Sequence, residues 1–290
     1  MAVYNKGGVL LSSIYTDGGY EAYRAYDVNG DEVFRGGLKV CTYNVGGWYI
    51  GSGTNVPATK DAVFYDLQNS IIFSIDADVL VLEEFWTQFS QSGRTAASLL
   101  SQYYPYIQTA DGSATYTGRA ICSKYPISSY TQHTFSGETR YYDEAVITID
   151  GNTIYFFVTH LHPSDLTIRA AEATELCNYV KTLTDDFIIG GDFNNIIRNP
   201  LSESNEAIYR QFLDYGCSMA NGGSLGILDT ACNSADWAND KFAIDNILVS
   251  DGFSIETIGT DLTKITDPDV LAAEKIDHVP FYATITKVEE

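Results

Sequence analysis

From Leu38 onward the chain alternates between two hydrophobic periods. "LKVCTYNV" predicts a strand ending in Asn44, and "ADVLVLEEFW" a buried strand ending in acids. "TKDAVFYDLQNSIIFSID", "SGRTAASLLSQYY" and "SDLTIRAAEATELCNYVKTL" carry helical spacing, the last with Ser164 or Asp165 as its N-cap. "GRAICSKYPISSYTQHTF" predicts one strand or two, and "YDEAVITIDGNTIYFFVTHLHP" a hairpin turned at Asp150-Gly151. "FAIDNILVS" and "FYATITKV" predict strands near the C-terminus. Hairpins mixed with crossovers indicate an α/β protein with mixed sheets covered by helices.

Residues 1–37 differ: they are rich in Gly and Tyr and lack long periodic segments. "YDVNGDEVF" sets Asn29-Gly30 between alternating flanks, which predicts a tight hairpin. A calcium loop is a poor fit, because Glu32 and Leu38 stand where glycine and a bidentate acid belong. The organisation expected is a hairpin or attachment segment at 1–37 and a catalytic domain at 38–290.

The chain has 290 residues and a formal net charge of -21. So acidic a protein repels nucleic acid at long range, and binding a polyanion requires local cations or a metal ion. Five cysteines without a CxxC pair read as small buried hydrophobes in a reducing compartment. The N-terminus has no signal-peptide pattern and no apolar run reaches the ~20 residues of a membrane span. Both point to a cytoplasmic location.

The apolar runs share one feature. They stop on residues able to bind a cation or move a proton: Asn44, Glu83 and Glu84, His160 and His162, Asp192 and Asn194. Asp245 sits in the strand "FAID", and "KIDH" delivers Asp277 and His278 just before the last strand. If these strands share a sheet, their ends converge on one cleft. In "FIIGGDFNNII" the two glycines permit close backbone approach, and strand alternation is expected to turn Phe193 away from Asp192 and Asn194. Carboxylate and amide oxygens suit magnesium, manganese or calcium. Two histidines beside them supply acid–base and electrostatic groups. The combination fits metal-assisted hydrolysis of a phosphate ester.

Seven blocks in order, "VCTYNVGG", "DVLVLEEFW", "GRAICSKYPI", "VTHLHP", "IIGGDFNN", "AIDNILVS" and "KIDHVPF", resemble the endonuclease/exonuclease/phosphatase superfamily, the fold of pancreatic deoxyribonuclease. The resemblance spans Leu38 to Val288. It implies a four-layer sandwich of two face-to-face mixed β-sheets flanked by helices. It also implies roles. Asn44, Glu84 and Asp277 match metal-side residues for Mg2+, with Mn2+ or Ca2+ as substitutes. His160 and His278 match phosphate-contacting histidines, and Asp192 the acid that orients or deprotonates water. Asn194 matches an amide that holds a phosphate oxygen, and Asp245 an acid near the histidine pair. Glu83 stands where the family commonly has glutamine. His162 is not a general family position and is assigned a structural or rim role. Arg140 falls roughly where relatives contact phosphate, and Trp48 in "GGWYIG" is placed to stack on a base or enter a lipid interface.

The function expected is a Mg2+-dependent phosphodiesterase or nuclease acting on DNA. The alternatives are a sphingomyelinase-like or inositol-phosphatase-like hydrolase, and a non-enzymatic module in which the leader at 1–37 mediates assembly, similar to Tyr/Gly-rich appendages of phage tail or surface proteins.

Overall fold

The computed structural model describes residues 37–46, 70–85, 98, 100–110, 118–198, 201–233, 239–260 and 277–288, with backbone strands elsewhere as named below. Twelve strands build two sheets: β1 (Leu38–Asn44), β2 (Val79–Glu83), β3 (Tyr106–Ala110), β4 (Arg119–Ser123), β5 (Ile127–Thr134), β6 (Tyr141–Ile149), β7 (Asn152–His160), β8 (Asp186–Asp192), β9 (Ser218–Met219), β10 (Asp245–Val249), β11 (Phe253–Thr260) and β12 (Phe281–Lys287). Two helices, α1 (Leu166–Val180) and α2 (Glu203–Leu213), lie between β7 and β9 in the sequence.

The sheets share a plan. The first runs β11-β12-β1-β2-β4-β3 and the second β5-β6-β7-β8-β10-β9. Each has a parallel pair at its centre, β1–β2 or β7–β8, flanked by antiparallel strands. Both sheets are therefore mixed, as the alternation of hairpins and crossovers predicts.

Period-2 alternation sends one set of side chains from each sheet into a shared core. Val40, Val79, Val81 and Ile121 of the first meet Phe156, Val158, Ile188 and Ile247 of the second. The opposite faces are covered outside. Leu80 and Leu82 pack with Ile71, Ile72 and Ile75 of the helical residues 70–75. Phe157 and Ile189 pack with Leu176 of α1 and Ile208 of α2. This makes four layers. At Gly190 the sheets pack too tightly for a side chain: a Cβ there would lie 2.6 Å from Val81 Cγ2.

The β6–β7 hairpin turns at Asp150-Gly151, both with positive φ (51° and 83°), between the paired Ile149 and Asn152. Two consecutive left-handed residues are the geometry an Asp-Gly turn favours. Asp165 caps α1 through Oδ1, which accepts from the amides of Thr167 and Ile168. All five cysteines are buried and free.

Two expectations change. The helix read from Ser92 does not begin there, because Arg94–Thr95 is a short strand paired with Ser90–Gln91. Ser92-Gly93 is turn chemistry, which the helical spacing of the following residues masked. Asp245 is the first residue of β10, not an interior one. In the leader, Arg24–Tyr26 pairs antiparallel with Glu32–Arg35, while Asn29-Gly30 lies outside the described residues. A second ribbon there joins Ile14–Tyr15 to Glu21–Ala22.

Candidate active site

The shared core is apolar along most of its length and polar at one end. The inward-facing parity that gives Val40, Val81 and Ile121 on the first sheet ends in Asn44, Glu83 and Arg119. On the second sheet, the parity of Ala145, Val158, Ile188 and Ile247 ends in Asp143, His160, Asp192 and Asp245. Strand register then sets the neighbours. Asn44 pairs with Glu83 across the first parallel pair. His160, Asp192 and Asp245 stand side by side across β7, β8 and β10.

His278 arrives by a different route. Its segment pairs with a short ribbon, Ala231–Cys232 with Lys241–Phe242, through an Ala231–His278 bridge. The Cys232 amide donates to the Asp277 carbonyl and the Val279 amide to that of Thr230. The Thr230 hydroxyl accepts from the amides of Ile244 and Asp245 at 3.2 and 3.1 Å. One segment therefore fixes both His278 and Asp245.

Asp192 is the hub. Its Oδ2 lies 3.6 Å from Nε2 of His160 and 3.6 Å from Nε2 of His278. Asn44 Nδ2 donates to that oxygen at 3.2 Å and to Glu84 Oε1 at 3.4 Å. Asp192 Oδ1 accepts the Asn194 amide at 2.7 Å. His278 Nδ1 pairs with Asp245 Oδ2 at 3.0 Å. One ligand-capable atom from each of Asp192, Asp245 and His278 fits within 4.8 Å.

Two site residues take left-handed backbone without being glycine: Glu84 and Asn194, each with φ 51°. Such conformations are uncommon and cluster at functional sites. They stand just past the ends of β2 and β8. Strand alternation therefore does not place Asn194, as the sequence suggests. A turn does, and its side-chain amide donates to the Leu161 carbonyl at 2.9 Å. Phe193 is buried in the outer core, as expected.

The electrostatics separate the two histidines. Burial, reinforced by Arg140, Arg119 and His278, holds His160 well below the usual histidine range. Burial also pushes His278 down, but Asp245, by charge and by hydrogen bond, together with Asp192 and Asp277, outweighs it and raises His278 well above that range. His160 is thus neutral and His278 an imidazolium. Burial and Asp245 push Asp192 up to about 7, against His278, the Asn194 amide and Asn44. Burial and Asp245 raise Glu83 far above its ordinary value, and burial with Asp277 raises Glu84.

The carboxylates therefore resist ionising together. Glu83 Oε2 and Asp245 Oδ1 are buried without a partner among the described residues. Carboxylate and amide oxygens dominate the cluster, a donor set that suits a hard divalent ion. Glu84, Asn44 and Asp277 form the oxygen set on the first-sheet side. Asp277 is exposed, with Oδ1 beside Gly46.

The remaining expected site residues differ in what they do. Arg140 is bonded through Nη2 to the carbonyls of His160 and Leu161 and lies 3.2 Å from Glu172, so Nη2 and Nε are taken up by protein. His162 Nδ1 accepts the amides of Ser164 and Asp165, consistent with a structural or rim role. Trp48 lies outside the described residues. Sequence reasoning missed Arg119 and Asp143. Both were readable from parity, since each shares its face with core residues two positions on.

An acid between two imidazoles, with an amide bridging it to a second acid, is an arrangement that can serve hydrolysis of a phosphate ester. The Endonuclease/Exonuclease/phosphatase family model matches residues 41–267, and the chain belongs to that family. It is accordingly a phosphoester hydrolase of a family that generally uses divalent metals. Solved structures agree on the fold. An endonuclease/exonuclease/phosphatase protein from Bacteroides vulgatus superposes with TM-score 0.66 at 14% identity, covering 87% of this chain and 99% of its own. A humanized D. rerio TDP2 gives 0.59 at 16%, covering 86% and 99%. A mannosyl-6-phosphatase from Bacteroides thetaiotaomicron gives 0.61 at 15%, covering 86% and 99%. No curated protein matches the chain in sequence. No helix among the described residues is long and apolar enough to cross a membrane.

Proposed function

We propose that the protein is a Mg2+-dependent phosphodiesterase in which water attacks phosphorus in line with the leaving oxygen. The observation that carries this reading is Asp192 Oδ2 lying 3.6 Å from both imidazoles. Asp192, with His278 as its partner, orients the water and takes its proton. His278, held as a cation against Asp245, faces the charge that develops on phosphorus. Neutral His160 donates to a non-bridging oxygen. Asn194 keeps a second N–H for the same task after satisfying Leu161. Glu84, Asn44 and Asp277 would hold the ion, which would supply charge to polarise the phosphate and to stabilise the leaving oxygen.

A diester is favoured over a monoester. Arg140 and Arg169 are engaged on protein carbonyls, and Arg119 is buried at 2% exposure, so none of the three presents an open guanidinium to clamp a phosphate dianion. A monoanionic diester matches one imidazolium and one ion more closely. DNA is the diester we favour. A net charge of -21 opposes DNA at long range, so its capture rests on local cations and the bound ion, contacts that added salt weakens. Sphingomyelin and inositol phosphates are the competing substrates, and residues 1–37 are read as a separate attachment segment.

A panel of plasmid DNA, abasic duplex, RNA, sphingomyelin and inositol phosphates, run with Mg2+ and with chelator, tests this. DNA cleavage that needs Mg2+ is expected. Release of choline phosphate or inorganic phosphate with DNA left intact would replace the substrate assignment. Full activity in chelator would reject the ion.

A further inference from the structure

The loop that carries His160 away from β7 is held by an unusual set of donors. Arg140 Nη2 donates to the carbonyls of His160 and Leu161, the latter at 2.8 Å. Arg119 Nη2 reaches the His160 carbonyl at 3.5 Å. Arg169 donates to the His162 carbonyl at 2.7 Å through Nε and to that of Pro163 at 3.0 Å through Nη2. Four consecutive carbonyls, from His160 to Pro163, therefore each accept from a guanidinium.

Satisfying carbonyls does not require charge, since amides or water would serve. Burying charge costs several kcal/mol unless it is paired. Here the pairing comes from Glu172 on α1, which is 2% exposed. Its Oε2 accepts the His162 amide at 2.6 Å, and its Oε1 lies 3.2 Å from Arg140 Nε. Glu172 thus grips the loop directly on one oxygen and through Arg140 on the other. Arg140 reaches the two residues that matter most for geometry: His160, whose ring faces Asp192, and Leu161, whose carbonyl also receives Asn194. Leu161 in turn donates its amide to the Asp192 carbonyl.

We propose that Glu172 is a positioning residue for His160. By holding Arg140 on the His160 and Leu161 carbonyls, it sets the angle and distance at which the imidazole meets Asp192. The effect on turnover rests on the hydrolytic reading above; the effect on the imidazole does not.

Glu172→Gln tests this. The amide can still accept from His162 but carries no charge toward Arg140. With bis(p-nitrophenyl) phosphate and Mg2+, kcat is expected to fall roughly 10- to 100-fold, and KM to stay within about twofold. In the metal-free protein, the His160 ring resonances should shift. Those of His133, which packs against Tyr142 and Tyr179 on the outer face of the second sheet, should not. Arg140→Lys is expected to give the same pattern, and the double variant no multiplied loss. If Glu172→Gln does not fold, Arg140→Lys carries the expectation alone. Unmoved His160 resonances, or kcat within about twofold of wild type, would overturn the proposal. Should the wild type hydrolyse no diester, the resonance result decides the positioning claim by itself and the hydrolytic reading fails separately.

Discussion

Asp192→Asn is expected to lower kcat by roughly ten-thousand-fold while the thermal midpoint stays at or above wild type. The amide is isosteric, so Oδ1 can still accept the Asn194 N–H. On the other side, an NH2 group replaces Oδ2, the atom that faces Asn44 Nδ2 and both histidine Nε2 atoms. It cannot take a proton from water, and it sets donor against donor. Stability moves the opposite way. Burial and Asp245 raise the Asp192 carboxyl, so the folded state resists its charged form above that pKa. A neutral side chain removes this penalty. Activity lost with stability kept or gained is the mark of a site retained for function rather than folding. Steady-state hydrolysis and a thermal melt on the same preparation decide the point, and near-native turnover would reject Asp192 as the group that works on water.

His278→Ala is expected to cost both activity and stability. Turnover should fall by roughly a thousand-fold or more, because the cation facing phosphorus and the partner of Asp192 vanish together. Stability should drop by about 3 kcal/mol or more. Asp245 is fully buried, and its Oδ2 loses the Nδ1 contact at 3.0 Å. Its Oδ1 already has no partner among the described residues. Adding Asp245→Asn should restore most of the stability and none of the activity, since the stranded charge is gone but the imidazole is not replaced. Chemical denaturation of the single and double variants measures the first. A single variant as stable as wild type would mean that the Asp245–His278 contact does not hold the fold together.

How much of this was legible in the sequence depends on distance along the chain. Strand ends were readable because alternation and abrupt polar stops are local signals. That is why Asn44, His160 and Asp192 were found at the ends of β1, β7 and β8. Side-chain direction at Glu83 and Glu84 was not readable. Glu83 keeps the strand parity and is buried between the sheets, bonded to the Thr42 hydroxyl at 2.9 Å. Glu84 reaches the site only because its backbone turns left-handed, and nothing in "VLEEFW" announces that. Arg140 is assigned a substrate contact because it falls roughly where relatives contact phosphate. Its commitment to Glu172 and to two carbonyls depends on α1 packing against the loop, a tertiary fact with no local signature. Arg119 and Asp143 were missed for a simpler reason. A charged residue in the first positions of a strand reads as a boundary, although parity with the core residues two positions on marks both as inward.

The most direct measurement of the central claim is hydrolysis of a diester substrate in 18O-labelled water with Mg2+ present. One labelled oxygen per turnover is expected in the phosphate product, because the water held by Asp192 attacks phosphorus. Label found instead in the released alcohol would mean that the carbon–oxygen bond breaks, and the arrangement around Asp192 would need another explanation.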